Sequence, residues 1–202
     1  MDAPKPLLDD SEQQYLLNVA RQTIIEYVTS GKQPEFTTDN PKLKQNCGAF
    51  VSLHEKSGAL RGCIGYVEPI KPLIQTVSDM AVACSTRDPR FYPVTPDEFP
   101  NLDIELSVLS PLEQVTDPEQ ITVGEHGLMI KKGPYSGLLL PQVATEFGWD
   151  RTQFLKETCR KAGLSSNAWK DPDTRIHVFR AQVFGGSLVP DDAKDGDVQG
   201  SR

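Results

Sequence analysis

Two alternating segments on either side of a turn at Ser57-Gly58 constrain this sequence more than any other feature. From residue 49 to residue 53 every second residue is apolar, and Leu60 and Ile64 continue the alternation after the turn. Because successive side chains of a strand point to opposite faces, the two segments predict a β-hairpin with one apolar face. A slip of one residue would mix the two faces, so the alternation also predicts the register.

The other face of this predicted hairpin is polar. Its register places Ser52 opposite Cys63 and His54 opposite Arg61. The glycines of the run 60–65, Leu-Arg-Gly-Cys-Ile-Gly, have no side chain, so a ligand or another backbone can approach this strand closely. The run therefore indicates a candidate reactive site.

Cys63 is the sharpest candidate for chemistry in this run. We predict that it is a nucleophile or covalent carrier and that Arg61 stabilises its thiolate, because a neighbouring guanidinium lowers a thiol pKa from its free value of about 8.5. The alternative is that Cys63 is a small buried core residue, as many free cysteines are. His54 is either the general base for this thiol or an ordinary surface histidine. The sequence leaves both alternatives open.

A second candidate site is the segment Thr-Arg-Asp-Pro-Arg at residues 86–90. Thr86, Arg87, Asp88 and Arg90 stand at the end of a predicted helix, where the helix dipole favours cations. Guanidinium groups bind carboxylates and phosphates through paired hydrogen bonds, so we predict that these residues bind a small anionic substrate. The alternative is an Arg-Asp ion pair with a structural role.

Two further residues are assigned to substrate binding. His126 is a candidate acid-base group, but a chain with three histidines and no His-x-x-x-His spacing predicts no metal site. Gln142 follows Pro141 at a predicted strand-to-helix junction, where its amide either contacts a ligand or makes a capping hydrogen bond.

The rest of the chain alternates helical and strand patterns. A capping box at Ser11-x-x-Gln14 begins an amphipathic helix that ends at Gly31, and a second helix runs from Pro72 to about Asp88. Residues 32–46 between them form a polar loop that is either mobile or covers a site.

Later segments predict a mainly antiparallel sheet. Residues 102–108 alternate as a half-buried strand, residues 131–137 form the turn of a second hairpin, and Asp150 caps a further helix. Residues 176–184 are typical of a last strand, and residues 186–202 of a disordered acidic tail. The predicted fold class is α+β.

The composition is that of an ordinary globular chain. Its 202 residues are 38% hydrophobic, and no apolar run approaches the roughly 20 residues of a membrane span. A formal net charge of −7 disfavours nucleic acid as a partner. Four cysteines without a Cys-x-x-Cys pair, and an N-terminus without an apolar signal segment, predict a cytoplasmic protein with reduced thiols. No nucleotide-binding motif is present, so we predict no cofactor.

Several ordered motifs resemble one family, the AMMECR domain, which is the A component of the AmmeMemoRadiSam system. The resemblance extends from about residue 16 to residue 184. It implies one AMMECR domain over residues 11–185, with two unequal α+β lobes and the 60–65 motif near the cleft between them. The motifs are residues 60–65, 86–91, 125–128, 137–143, 148–150 and 159–164.

The resemblance also implies partners, namely a Memo-type protein and a radical S-adenosylmethionine (radical SAM) protein. Together with the candidate residues, it predicts a cysteine-dependent enzyme or substrate carrier that acts on a small anionic substrate beside these partners. The alternative is a binding module without turnover, which presents its cleft to a protein partner. The two differ in whether Cys63 is chemically active.

Overall fold

The computed structural model describes residues 7–190, and the chain divides into two compact units. The first unit comprises Met1–Val108 and Gln182–Arg202, and the second comprises Leu109–Ala181. Each unit combines helices with a sheet that contains antiparallel pairs, so the α+β fold class predicted from the sequence is confirmed. No helix in the described part of the chain is long and apolar enough to cross a membrane.

The first unit is built from two long helices and most of a four-stranded sheet. Apolar residues of both helices and of the strands form one core. Their burial stabilises the unit because apolar surface is removed from water. The elements are α1 (Asp10–Ser30), β1 (Ala49–Glu55), β2 (Leu60–Tyr66), α2 (Leu73–Thr86), a 3-10 helix (Pro96–Asn101) and β3 (Leu102–Leu109).

The second unit has a separate four-stranded sheet and a separate core. The predicted hairpin around residues 131–137 is present, and its turn is shorter than predicted because both strands extend toward it. Its strands are β4 (Glu113–Val115), β5 (Gly127–Lys132), β6 (Tyr135–Leu139) and β7 (Arg175–Phe179), in the order β4-β7-β5-β6, and its helices are α3 (Pro141–Glu146) and α4 (Arg151–Lys161).

The final strand, β8 (Ala181–Ser187), returns to the first sheet, whose order is β2-β1-β3-β8. The single last strand predicted for residues 176–184 is therefore two strands in two different sheets. The predicted start of a disordered tail at residue 186 is also too early, because Leu188 is fully buried and its N–H donates to the carbonyl of Leu102 at 2.9 Å. The rest of that predicted tail, residues 191–202, lies outside the described residues.

The first hairpin has the predicted register over most of its length. Val51 pairs with Ile64 and Ser52 with Cys63. The register shifts between Leu53 and His54, so His54 pairs with Leu60 and not, as predicted, with Arg61. A bulge of this kind sets two residues of one strand against one residue of the other, and it leaves Arg61 free to turn toward other parts of the unit.

At Gly62 the backbone of β2 lies close against the backbone of α2. A Cβ atom at this position would lie 2.5 Å from the carbonyl oxygen of Cys84 on α2. The absence of a side chain thus permits approach of another backbone, which is one of the two uses predicted for this glycine. At Gly65 the corresponding space is filled by the ring of Phe50.

The loop 32–46 is tied to both helices. Glu12 accepts hydrogen bonds from Asn40 and Lys42, each at 2.9 Å, and the loop carbonyl of Leu43 accepts from the N–H of Ile74 at 3.2 Å. The first residues of this loop and the first half of α2 line an open cleft of about 540 Å³. Glu12 also completes the capping box of α1 with Asp9, so the predicted box at Ser11 is displaced by two residues.

We expect Gly62→Ala to lower the free energy of unfolding by about 1–3 kcal/mol, because the new methyl group forces β2 away from α2. Urea denaturation of the variant measures this change. Gln75→Ala, at an exposed position on α2, is the control and should stay within about 0.5 kcal/mol of the parent protein. Equal stability of Gly62→Ala and the parent would show that the close approach is not a constraint.

Candidate active site

The main chain of Cys63 is held by two side chains that follow α2. Its N–H donates to Oδ2 of Asp88 at 2.9 Å, and its carbonyl oxygen accepts from Nη2 of Arg90 at 3.2 Å. β2 is an edge strand of its sheet, so these polar groups would otherwise have no strand to pair with. Asp88 and Arg90 therefore replace a neighbouring strand at Cys63.

Asp88 and Arg90 also form an ion pair with each other. Nε and Nη2 of Arg90 donate to the two carboxylate oxygens at 2.9 and 2.7 Å, and the Arg90 N–H donates to Oδ1 at 3.1 Å. Asp88 is only 4% exposed. The hydrogen bonds from Arg90, together with that from Cys63, hold the pKa of this carboxyl well below its usual value although burial opposes them. The ion pair offered as the structural alternative for this segment is thus present.

Arg61 points to a different carboxylate. Its Nε and Nη2 donate to Oε1 and Oε2 of Glu98 at 2.7 and 3.1 Å, and its Nη1 donates to the carbonyl of Tyr92 at 3.0 Å. The hydrogen bond from Arg61 lowers the pKa of Glu98, against the opposing effect of its partial burial. The guanidinium predicted to stabilise the Cys63 thiolate is therefore engaged elsewhere. Arg90 is the arginine that bonds to Cys63.

One aromatic ring lies near both guanidinium groups. The ring centroid of Phe91 is 5.9 Å from the guanidinium carbon of Arg61 and 5.4 Å from that of Arg90. Distances below about 6 Å allow a cation–π attraction. Phe91 thus contributes to the positions of both arginines.

The thiol of Cys63 is half-buried and lies beside Ser52 on β1. The Ser52 hydroxyl donates a hydrogen bond to Sγ of Cys63 at 3.1 Å. On the other side of Ser52, its partner on β3 is Glu105, so the three residues form one row across three strands. Cys84, on α2, is buried, and burial above all raises the pKa of its thiol to about 12.

Thr86 and Arg87, in the same 86–90 segment, differ in their side-chain hydrogen bonds. The hydroxyl of Thr86 donates to the carbonyl of Val82 within α2 at 2.7 Å, which is a local helix contact. Arg87 is exposed, and its one side-chain hydrogen bond within residues 7–190 is a long one of 3.3 Å to the hydroxyl of Tyr27. Arg87 is accordingly the member of this segment with guanidinium donors to offer a ligand.

A sequence model of the AMMECR1 family matches residues 17–184. The chain belongs to the AMMECR1 family. A protein of Methanothermobacter thermautotrophicus is 46% identical over 184 residues, which cover 88% of this chain and 95% of that protein. Protein PH0010 of Pyrococcus horikoshii is 43% identical over 187 residues, which cover 88% of this chain and 91% of that protein.

The fold is shared with a solved AMMECR1 relative. The crystal structure of the uncharacterized protein PH0010 from Pyrococcus horikoshii superposes with a TM-score of 0.83 at 42% identity, and the match covers 92% of this chain and 97% of that one. The family resemblance inferred from the motifs is thereby confirmed.

Of the two predicted site residues in the second unit of this AMMECR1 chain, His126 makes a local hydrogen bond. Nδ1 of His126 accepts a hydrogen bond from the N–H of Thr122 at 3.1 Å, which places the proton of the neutral ring on Nε2. Partial burial is the main cause that lowers the pKa of His126. Gln142 is half-buried in the first turn of α3. Within residues 7–190, no cluster of three or more histidine, cysteine or acidic side chains is arranged to hold a metal ion.

The sequence analysis assigned no role to three residues of the Cys63 region. Ser52 follows from the predicted register, but nothing in the sequence shows that its hydroxyl reaches the sulfur. Nothing in the sequence connects Glu98 with Arg61, although its carboxylate accepts hydrogen bonds from both Arg61 and the N–H of Thr95. Phe91 lies within one of the family motifs but carries no chemical signal by itself.

Removing the negative charge of Asp88 should weaken the fold and change its response to acid. The folded-state pKa lies below the unfolded value of about 3.9, so this group stabilises the protein above that pH and the contribution disappears as the pH falls toward the folded-state pKa. We expect Asp88→Asn to lower the free energy of unfolding at pH 7 by about 1–3 kcal/mol. Its unfolding free energy should also fall less steeply with acid below about pH 4.

Urea denaturation at a series of pH values measures both effects of Asp88→Asn. Asp97→Asn, at an exposed position of the 3-10 helix, is the matched control. If the two variants lose the same stability with the same pH dependence, Asp88 does not hold the edge strand.

Proposed function

We propose that this AMMECR1 protein is a cysteine-dependent enzyme, or the carrier component of one, that acts on a small anionic substrate through Cys63. The observation that supports this best is the main-chain attachment of Cys63 to Asp88 and Arg90. It fixes the strand that carries this half-buried thiol, and it brings the half-exposed guanidinium of Arg90 to the carbonyl oxygen of the same residue. Functional groups on strands are positioned more precisely than those on loops.

Arg90 takes the role that the sequence assigned to Arg61. A cation close to a thiol favours the thiolate, which is the reactive form. In the proposed reaction, the thiolate sulfur forms a bond to an electrophilic carbon of the substrate, and the bond from that carbon to its leaving group breaks with the electron pair. The thiol proton passes to solvent. Arg87, whose guanidinium makes one long hydrogen bond within residues 7–190, binds the anionic group of the substrate.

Partners and location form part of the same proposal. The chain contains no motif for a cofactor that drives redox or radical chemistry. We therefore propose that a Memo-type protein and a radical SAM protein in the cytoplasm supply the redox or radical steps that precede or follow the reaction at Cys63. Co-purification of the chain with a Memo-type protein at micromolar concentration tests this association, and its failure would leave the chain acting alone.

A non-catalytic binding module is the second candidate. Two observations favour it: Arg61 is bound to Glu98 and to the carbonyl of Tyr92, and Arg90 is paired with Asp88. Such contacts stabilise a surface without any turnover. Under this reading Cys63 has an ordinary thiol and only the shape of the surface matters.

Cys63 should react fastest of the four cysteines with iodoacetamide at neutral pH, because its thiol is half-buried and its main chain is bound by the guanidinium of Arg90. Peptide mass spectrometry of the folded protein measures each site. Cys84 and Cys159 are buried and serve as internal controls, and half-buried Cys47 is the matched comparator. If Cys47 is modified faster than Cys63, the binding-module alternative is the better account.

Arg87→Ala should reduce the affinity for small anions while changing stability by no more than about 0.3–1 kcal/mol, the usual contribution of an exposed cation at a helix end. Calorimetric titration with inorganic phosphate and with small carboxylates measures binding. Arg175→Ala, at an exposed position of β7, is the control for loss of one positive charge. Equal anion affinity in the two variants would remove Arg87 from the site.

A further inference from the structure

We propose that Ser52 is a positioning residue for Cys63, and that its hydroxyl orients the sulfur and favours the thiolate. This inference rests on the proposed function of Cys63 as a reactive thiol. Ser52 and Cys63 are Cα partners on neighbouring strands. The main-chain groups of Cys63 bind to Asp88 and Arg90, so the pair belongs to the closely spaced type in which the two side chains lie nearest each other.

The burial of the Ser52 hydroxyl makes its contact with Cys63 important. Ser52 is only 8% exposed, so its hydroxyl depends on protein atoms for a hydrogen bond. Within residues 7–190, Sγ of Cys63 is the only partner that its hydroxyl has, at 3.1 Å. The sulfur of Cys63 is therefore the atom that satisfies this buried hydroxyl.

The chemistry of sulfur makes this contact selective for one protonation state. A neutral thiol is a weak hydrogen-bond acceptor, whereas a thiolate is a full anion, and a hydrogen bond to a charged form favours that form. A donor fixed 3.1 Å from Sγ thus stabilises the thiolate more than the thiol. The same bond fixes the direction of the sulfur, which a nucleophile needs in order to attack at a defined angle.

Other charged and titratable groups act on the same sulfur. Arg90 favours the thiolate, and the carboxylate of Asp88 at the Cys63 N–H opposes it. Cys84, on α2, is a neutral thiol at physiological pH because its pKa is about 12. Glu105, next in the row on β3, also opposes a thiolate.

Two further groups complete these surroundings. His54 lies two residues from Ser52 on β1, and Arg61, on β2 itself, is paired with Glu98. Because carboxylates lie on both sides of Cys63, a single arginine does not decide its ionisation. The Ser52 hydroxyl adds to Arg90 without adding a charge.

The pH dependence of Cys63 alkylation tests this proposal. Iodoacetamide is added to the folded full-length protein over a pH series, and modification of Cys63 is followed by peptide mass spectrometry. We expect Ser52→Ala to move the midpoint of the profile to higher pH and to slow alkylation at neutral pH by about tenfold, because a hydrogen bond to the charged sulfur is lost.

A matched pair of variants separates the hydroxyl from the shape of the side chain. Ser52→Thr and Ser52→Val have nearly the same shape, suit a strand equally well, and differ in one hydroxyl. The threonine variant should keep the parental midpoint, and the valine variant should behave like Ser52→Ala. If threonine and valine give the same midpoint, the proposal is overturned, even where Ser52→Ala does not fold.

This outcome is distinguishable from failure of the proposed function. Slow alkylation of Cys63 in the unmodified protein, relative to Cys47, contradicts the reactive-thiol function whatever Ser52 does. A fast Cys63 whose midpoint is unchanged in both the alanine and the valine variants leaves that function in place and removes Ser52 from it.

Discussion

The candidate site depends on the hydrogen bonds that the buried carboxylate of Asp88 accepts. A carboxylate removed from water is unfavourable unless several donors satisfy it, and Asp88 has Arg90 and the Cys63 N–H for this purpose. The same contacts join the end of α2 to the open edge of β2. Pro89 stands between the two charged residues and restricts the backbone of the segment in which the carboxylate and the guanidinium pair.

Charge pairing also explains why candidate arginines are a weak guide to ligand binding in this chain. Arg90 is neutralised by a carboxylate two residues away, and Arg61 by Glu98, which lies 37 residues along the chain. Phe91 lies near both guanidinium groups, so the pairs belong to one small region of the first unit. Arg87 is left as the more available cation. A ligand site here would therefore be built from few groups, and the electrostatic contribution of each would matter.

The sequence predicted those parts of the fold that local patterns determine. The two-residue alternation predicted the first hairpin and the pairing of Ser52 with Cys63, because the apolar face has to be buried. The bulge at His54 could not be predicted, since Leu60 and Ile64 continue a regular alternation in the sequence, and its result is that Leu60 pairs with His54 and is exposed. The start of α1 was misplaced because Ser11 and Asp9 are both good caps. The choice of Asp9 is reinforced by Glu12, which also binds Asn40 and Lys42 of a distant loop. The Arg61–Glu98 pair could not be predicted either, because its two residues lie 37 positions apart in the sequence.

The topology of β3 and β8 has a consequence for how the chain is made. These strands are neighbours in the first sheet, yet the whole second unit lies between them in the sequence. A nascent chain that has reached Leu109 thus carries an unpaired sheet edge until β8 emerges, and such an edge is prone to aggregate. The two ends of the second unit lie together, since the N–H of Ser110 donates to the carbonyl of Arg180 at 2.8 Å. Early folding of that unit would therefore remove most of the entropic cost of pairing β8 with β3. The order in which the two units fold then determines how long the edge of β3 is exposed on the ribosome.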